Sequence, residues 1–274
     1  MSNCNNCPSK NNCNSQATCT IVNNPNNFVT NIIGVMSGKG GVGKSTVAAL
    51  IAKDLNAKGY RVGVLDADVT GPSIPRLFQV NKQRAVANDQ GMLPVVSQEG
   101  IKIMSLNLLM DDEENPVIWR GPIVSNIVQQ FWTDVIWGEL DYLIIDMPPG
   151  TGDVALTVMQ SIPVTGIVMV AVPQDLVSMI VAKAVNMTKK LNIPILGIVE
   201  NMSYVTCPDC DKKIKIFEGE NTAEFLKEYD LELLGELPMM KDIAGISSPN
   251  NNGLSEPVKK IIEGIGDKIV NFLE

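Results

Sequence analysis

The chain has 274 residues, 45% of them hydrophobic and 19% charged, and its 22 Lys and Arg against 30 Asp and Glu give a net charge of −8. That composition belongs to a folded chain with a sizeable core, as one large domain or two small ones, and excludes a disordered one. The acidic balance speaks against gripping nucleic acid through its phosphates. The N-terminus lacks the apolar stretch of a secretory signal and no apolar run approaches the roughly 20 residues of a membrane span, so a cytoplasmic protein without stable membrane association is expected.

In chain order, residues 1–28 are polar and rich in Asn, with little to bury, and read as a flexible cysteine-rich arm that a bound metal would order. Residues 29–274 read as one domain. "NIIGVMS" is an apolar run before a glycine loop, and "STVAALIAKDLNAKG" has helical periodicity that stops at Gly59. "YRVGVLDAD" is a second buried strand. Residues 88–106, with "GMLPVV" and "IKIMSL", suggest a short strand pair inserted after the second βα unit. Helical stretches at 122–137 and 175–190 alternate with the strands "DYLIIDMPPG", "VTGIVMVAVP" and "IPILGIVENMS". "LELLGELP" supplies a late strand and 254–273 a closing helix. Its stripe of Val258, Ile261, Ile262, Ile265, Ile269 and Phe272 could rest on a membrane surface, but the acids Glu263, Asp267 and Glu274 among them favour packing on a sheet. Near-continuous apolar strands alternating with helices predict an α/β fold: doubly wound, mostly parallel, with helices on both faces.

The glycine loop carries the first chemistry. Gly38 to Ser45 fits G-x-x-x-x-G-K-[S/T] between a strand ending at Met36 and a helix beginning near Gly43, the context of a phosphate-binding P-loop. Gly38, Lys39, Gly40, Gly41, Val42, Gly43, Lys44, Ser45 and Thr46 are the candidate ATP ligands: backbone N–H groups turn onto phosphate, Lys44 reaches the outer phosphates, and the Ser45 hydroxyl suits Mg²⁺. Such a loop needs an acid on a neighbouring strand, and Asp146 in "LIIDMPPGTGD" stands at a strand end to hold the magnesium's water shell. "VLDADVTGPS" offers Asp66 at another strand end and Asp68 two residues on. With no histidine in the chain, Asp68 is the candidate to orient an attacking water. The plainer alternatives are a turn former for Asp68 and a strand-end cap for Asp66.

The absence of histidine leaves any soft-metal site to six cysteines: Cys4, Cys7, Cys13, Cys19, Cys207 and Cys210. "CPDC" brings Cys207 and Cys210, two of the four thiolates that a tetrahedral metal or a cubane cluster requires. A two-fold dimer presents the pair twice and completes the set. Zinc competes with iron–sulfur at such a site, and a dithiol redox pair is a further alternative. Cys4-x₂-Cys7-x₅-Cys13-x₅-Cys19 offers four thiols within one arm, enough for a cluster or zinc in a single chain, or only for adventitious metal.

Together "GKGGVGKST", "DADVTGPS", "DMPPGTGD" and "ENMSYVTCPDC" resemble the Mrp/ApbC family of iron–sulfur carrier ATPases, in the deviant Walker A group that also holds MinD, ParA and the nitrogenase iron protein. The resemblance runs from about residue 30 to the C-terminus. It implies an ATP-hydrolysing homodimer that binds a [4Fe–4S] cluster between the Cys207–Cys210 pairs of two subunits and passes it to apoproteins. It implies that Lys39, the second lysine of the loop, reaches the other subunit's nucleotide, that the Asn201 amide recognises adenine, and that the loop at Pro238 lines the base. Cysteine-rich N-terminal arms bind a cluster in eukaryotic scaffold relatives, with a spacing that differs from this one. The alternatives are a MinD- or ParA-like positioning ATPase on a membrane or DNA, which leaves CPDC unexplained, and a scaffold in which nucleotide locks the dimer without turnover. Lys39 could also be a plain exposed loop lysine, and Asn201 and Pro238 plain strand ends.

Overall fold

The computed structural model describes residues 21, 23–69, 71–110, 121–175, 179–207, 209–210, 212–215, 222–247 and 253–274. β1 (Phe28–Ser37) runs into α1 (Lys44–Ala57), β2 (Val62–Asp66) and the short α2 (Ile74–Leu77). Four small strands follow: β3 (Val86–Asn88), β4 (Gly91–Leu93), β5 (Val95–Val96) and β6 (Lys102–Met104). Then come α3 (Gly121–Thr133), β7 (Glu139–Asp146), α4 (Asp153–Ser161), β8 (Gly166–Ala171), α5 (Met179–Lys190) and β9 (Ile195–Glu200). The remainder is β10 (Val205–Thr206), β11 (Lys213–Ile214), α6 (Thr222–Tyr229), β12 (Leu233–Glu236), α7 (Lys241–Ala244) and α8 (Glu256–Leu273).

Eight strands form one sheet in the order β12-β9-β8-β1-β7-β2-β6-β5, parallel throughout except for β5 against β6. β1 lies between β7 and β8, and β1 sends Ile33 and Val35 into the core under α1 and α8, Ile32 and Met36 into the core under α3, α4 and α5. Strands covered on both faces must be apolar at every position, which is why β2 and β8 are wholly buried and read as unbroken apolar runs. The fold is the expected doubly wound α/β sheet. Chain order reverses about β1, so a crevice opens at the carboxyl ends of β1, β7 and β8, where such folds bind ligands.

Departures from the sequence reading have local causes. Within the stretch read as an arm to residue 28, Asn23, Asn24 and Asn27 are hydrogen-bonded to the body. The Asn24 amide donates to Thr133 O (2.9 Å), the Asn27 amide to Val135 O (2.9 Å), and Asn27 Oδ1 accepts from Trp137 N (2.7 Å). These anchors are polar side chains and leave no hydrophobic pattern to read. The inserted strand pair resolves into a β3–β4 hairpin with Val86 opposite Leu93, and a β5–β6 pair whose β6 joins the main sheet parallel to β2. The helix expected over 122–137 stops at Thr133, and Val135 and Trp137 are buried in the extended chain beyond it. Where a helix was expected from 175, Pro173–Asp175 form a 3₁₀ turn, and α5 is described over Met179–Lys190. α8 buries Val258, Ile262, Ile265, Ile269 and Val270 against the body, with Lys58 bridging Asp54 of α1 (2.8 Å) to Asp267 (2.7 Å). Among the described residues no helix is long and apolar enough to cross a membrane.

Candidate functional site

The loop after β1 turns because Gly41 (φ 81°) and Gly43 (φ 80°) occupy the left-handed region that glycine enters without steric cost. Gly43 is also required for space: a Cβ there would collide with the Asn201 side-chain amide. That amide donates to Val42 O (2.8 Å) from the end of β9, and the Ser37 hydroxyl donates to Lys39 O (2.9 Å), so the loop is held from both sides. Gly43 caps α1 and aims the helix N-terminus into a cavity of about 290 Å³, walled by Gly40, Gly41, Lys44, Ser45, Asp68 and Pro149 among others.

Lys44 is almost buried in that cavity. Its Nζ lies 2.6 Å from Asp146 Oδ1 and 3.5 Å from Asp68 Oδ2. Asp146 is fully buried, and burial raises its pKa above the usual carboxylate range, while Lys44 and then Ser45 pull it back. Its second oxygen, Oδ2, is buried and takes no hydrogen bond of normal geometry among the described residues. A buried carboxylate oxygen with spare acceptor capacity beside the Ser45 hydroxyl is a donor set that suits hydrated Mg²⁺.

The structure thus brings Lys44, Ser45, Asp68 and Asp146 together, but sets Asp66 beneath them. Asp66 Oδ2 accepts from Ser105 Oγ (3.0 Å) and Ile74 N (3.3 Å), and Oδ1 from Asp68 N (3.2 Å). Burial, then the nearby Asp146 charge, raise its pKa well above the ordinary value. Asp66, a candidate cofactor ligand with a strand-end cap as its alternative, makes the hydrogen bonds of a cap here and anchors the loop that carries Asp68.

Asn201 and Pro238 are both buried at neighbouring strand ends, tied by Leu237 N donating to Glu200 O (2.8 Å) and Ser203 N to Leu237 O (2.9 Å). One N–H of the Asn201 amide is spent on Val42 O, so the residue expected to read adenine here clamps the phosphate loop. Lys39 is half-exposed and pairs with Asp175 Oδ2 at 2.7 Å in its own chain. Asp175 was missed in the sequence. Asp175 lies past the end of β8 at Ala171, in the 3₁₀ turn Pro173–Asp175, so the strand-end signal that pointed to Asp66 and Asp146 does not reach it.

Cys207 and Cys210 sit at the tip of the antiparallel β10–β11 hairpin, which Cys207 N closes by donating to Lys212 O (3.0 Å). Cys207 is half-buried, Cys210 is exposed, and neither is in a disulfide. Among the described residues no three Cys, Asp or Glu side chains gather closely enough to hold a metal ion, so the hairpin offers two thiols. Cys4, Cys7, Cys13 and Cys19 lie outside the described residues.

The family model described as ParA, NUBPL iron-transfer P-loop NTPase, matches residues 28–270. A protein of Clostridium perfringens named iron-sulfur cluster carrier protein is 52% identical over 222 residues, covering 78% of each chain. One of the same name from Methanocaldococcus jannaschii is 44% identical over 282 residues, covering 97% of this chain and 96% of its own. Among solved structures, a nucleotide-binding protein of Archaeoglobus fulgidus in complex with ADP superposes with a TM-score of 0.74 at 41% identity, covering 85% of this chain and 91% of that one.

Proposed function

The chain belongs to the NUBPL iron-transfer P-loop NTPase family, and from that premise we propose that it binds and hydrolyses ATP as a homodimer that carries a [4Fe–4S] cluster to apoproteins. The observation that carries the reading is one segment with two duties. Asn201, at the end of β9, clamps the phosphate loop, and Cys207, six residues on, opens the thiol hairpin. The names of the relatives at 44–52% identity and the ADP in the Archaeoglobus structure support it.

In this reading the loop N–H groups and the α1 N-terminus receive the phosphates, and Lys44 turns from Asp146 and Asp68 to the outer ones. Asp68, released from Lys44, accepts a hydrogen bond from the attacking water. Magnesium, when bound, neutralises phosphate charge, and Ser45 and Asp146 would hold it. Lys39 of each subunit acts on the other's nucleotide. Cys207 and Cys210 of two subunits supply four thiolates to the cargo, and Cys4, Cys7, Cys13 and Cys19 are a second candidate set. Exposed thiols of this kind call for a reducing compartment, consistent with the cytoplasm.

The test loads the protein anaerobically with iron and sulfide and mixes it with an apoprotein whose activity requires a [4Fe–4S] cluster. Activity should appear in the client and be lost with Cys207→Ser/Cys210→Ser, and phosphate release should be lost with Lys44→Ala. A loaded protein that never activates the client contradicts the carrier reading. Carriage without phosphate release leaves a scaffold that nucleotide only locks.

A further inference from the structure

Lys39 is the residue this reading sends to another subunit, yet its ammonium rests on Asp175 of its own. The two partners differ in freedom. The Lys39 side chain is 47% exposed on a flexible four-carbon stem, whereas that of Asp175 is 19% exposed and its backbone is pinned by Asp175 N donating to Val172 O (2.9 Å) in the turn after β8. The root of Lys39 is pinned as well, through the Ser37 hydroxyl on its carbonyl, so only the lysine side chain can swing. Val42, Ala171, Ile180 and Val181 wall the small cavity around the pair with apolar groups. When Lys39 leaves, it strands a carboxylate largely out of water without its cation, which opposes departure.

We propose that Asp175 is a positioning residue that parks Lys39 on its own subunit, so that the lysine crosses to a second copy only when a bound nucleoside triphosphate offers it more negative charge than Asp175 does. The proposal rests on the reading of an ATP-driven homodimer with Lys39 acting in trans. It makes the acid a gate on dimer closure. Nucleoside diphosphate carries less charge and competes less well for the lysine, so Asp175 widens the difference between ATP and ADP in holding the dimer together. A half-exposed pair of this kind contributes about threefold to an equilibrium, and a dimer breaks two, for roughly tenfold.

The experiment measures the dimerisation midpoint by sedimentation with Mg²⁺ and either ATP or ADP, and phosphate release across protein concentration, for wild type, Asp175→Asn, Asp175→Glu, Lys39→Ala and Lys39→Ala/Asp175→Asn. Asp175→Asn should lower the ATP midpoint about tenfold, narrow the ATP-to-ADP difference, and raise phosphate release at concentrations below the wild-type midpoint. Asp175→Glu, which keeps the charge, should restore the wild-type midpoint. In the Lys39→Ala background Asp175→Asn should change nothing. An unchanged midpoint in Asp175→Asn overturns the gate. So does a fall of its saturating turnover to the Lys39→Ala level, because Asp175 would then present the lysine instead of restraining it. Lys39→Ala hydrolysing at the wild-type rate overturns the trans-lysine reading beneath.

Discussion

Removing the ammonium of Lys44 takes away more than a phosphate ligand, because Asp146 is fully buried and Lys44 is its cation at 2.6 Å. Breaking a buried pair from one side leaves an uncompensated charge, so nucleotide-free Lys44→Ala should be less stable by about 3 kcal/mol near pH 7 as well as unable to bind ATP. The sign of its pH dependence follows from the Asp146 pKa. Burial holds that pKa above the ordinary value and Lys44 pulls it back, so in the variant it rises further. The variant's native state then binds a proton at higher pH than the wild type's, and its deficit should shrink as pH falls through that range. Urea midpoints of both proteins at several pH values check this; a gap that stays constant or widens on acidification would mean that Asp146 is not the group left charged. That Lys44, Asp146 and Asp68 lie together was legible because a glycine loop, a strand-end acid and an acid two residues past a strand end sit in short contiguous motifs. The capping bonds of Asp66 were not legible, because its partners Ser105 and Ile74 are 39 and 8 residues away along the chain.

At the scale of elements, the extension of β9 joins the two halves of the site. Asn201 holds Val42 O, the Ser203 hydroxyl donates to Glu200 (2.7 Å), Lys213 stacks its ammonium 4.3 Å over the Tyr204 ring, and Cys207 N closes the hairpin. A phosphate loop that shifts on binding nucleotide should move this segment. We therefore expect Mg²⁺ and ATP to change the alkylation rate of the Cys207 and Cys210 thiols on the order of fivefold, and Asn201→Ala at saturating nucleotide to reduce that change. Equal alkylation rates with and without nucleotide in the wild type would uncouple the hairpin from the loop. The large strands were readable, since a parallel strand buried on both faces must be apolar throughout. β10 and β11 were not, because two-residue strands in a polar stretch carry no periodicity. The Val42–Asn201 bond spans 159 residues, and no local pattern announces it.

For the whole molecule, the sheet order sets the phosphate loop and the thiol hairpin beyond the carboxyl ends of the strands. Deleting residues 1–20 should leave thermal unfolding unchanged. Deleting 1–28 should lower the melting temperature, because the hydrogen bonds of Asn23, Asn24 and Asn27 to Trp132, Thr133, Val135 and Trp137 go with it, at about 1 kcal/mol each. Equal melting temperatures for the two truncations would show that those asparagines contribute nothing to stability. The proposed dimer has no sequence signature except the incompleteness of each part: two thiols at Cys207 and Cys210 where the proposed cluster takes four, and a second lysine in the phosphate loop.

That incompleteness is the central claim, and iron stoichiometry tests it most directly. The chain lacking residues 1–20, reconstituted anaerobically with iron and sulfide, keeps only Cys207 and Cys210. It should elute as a dimer with about four iron and four sulfide per two chains, and Cys207→Ser/Cys210→Ser should hold none. A monomer carrying a full cluster on that one pair, or a truncated protein with no iron beyond the double variant's, would contradict the account.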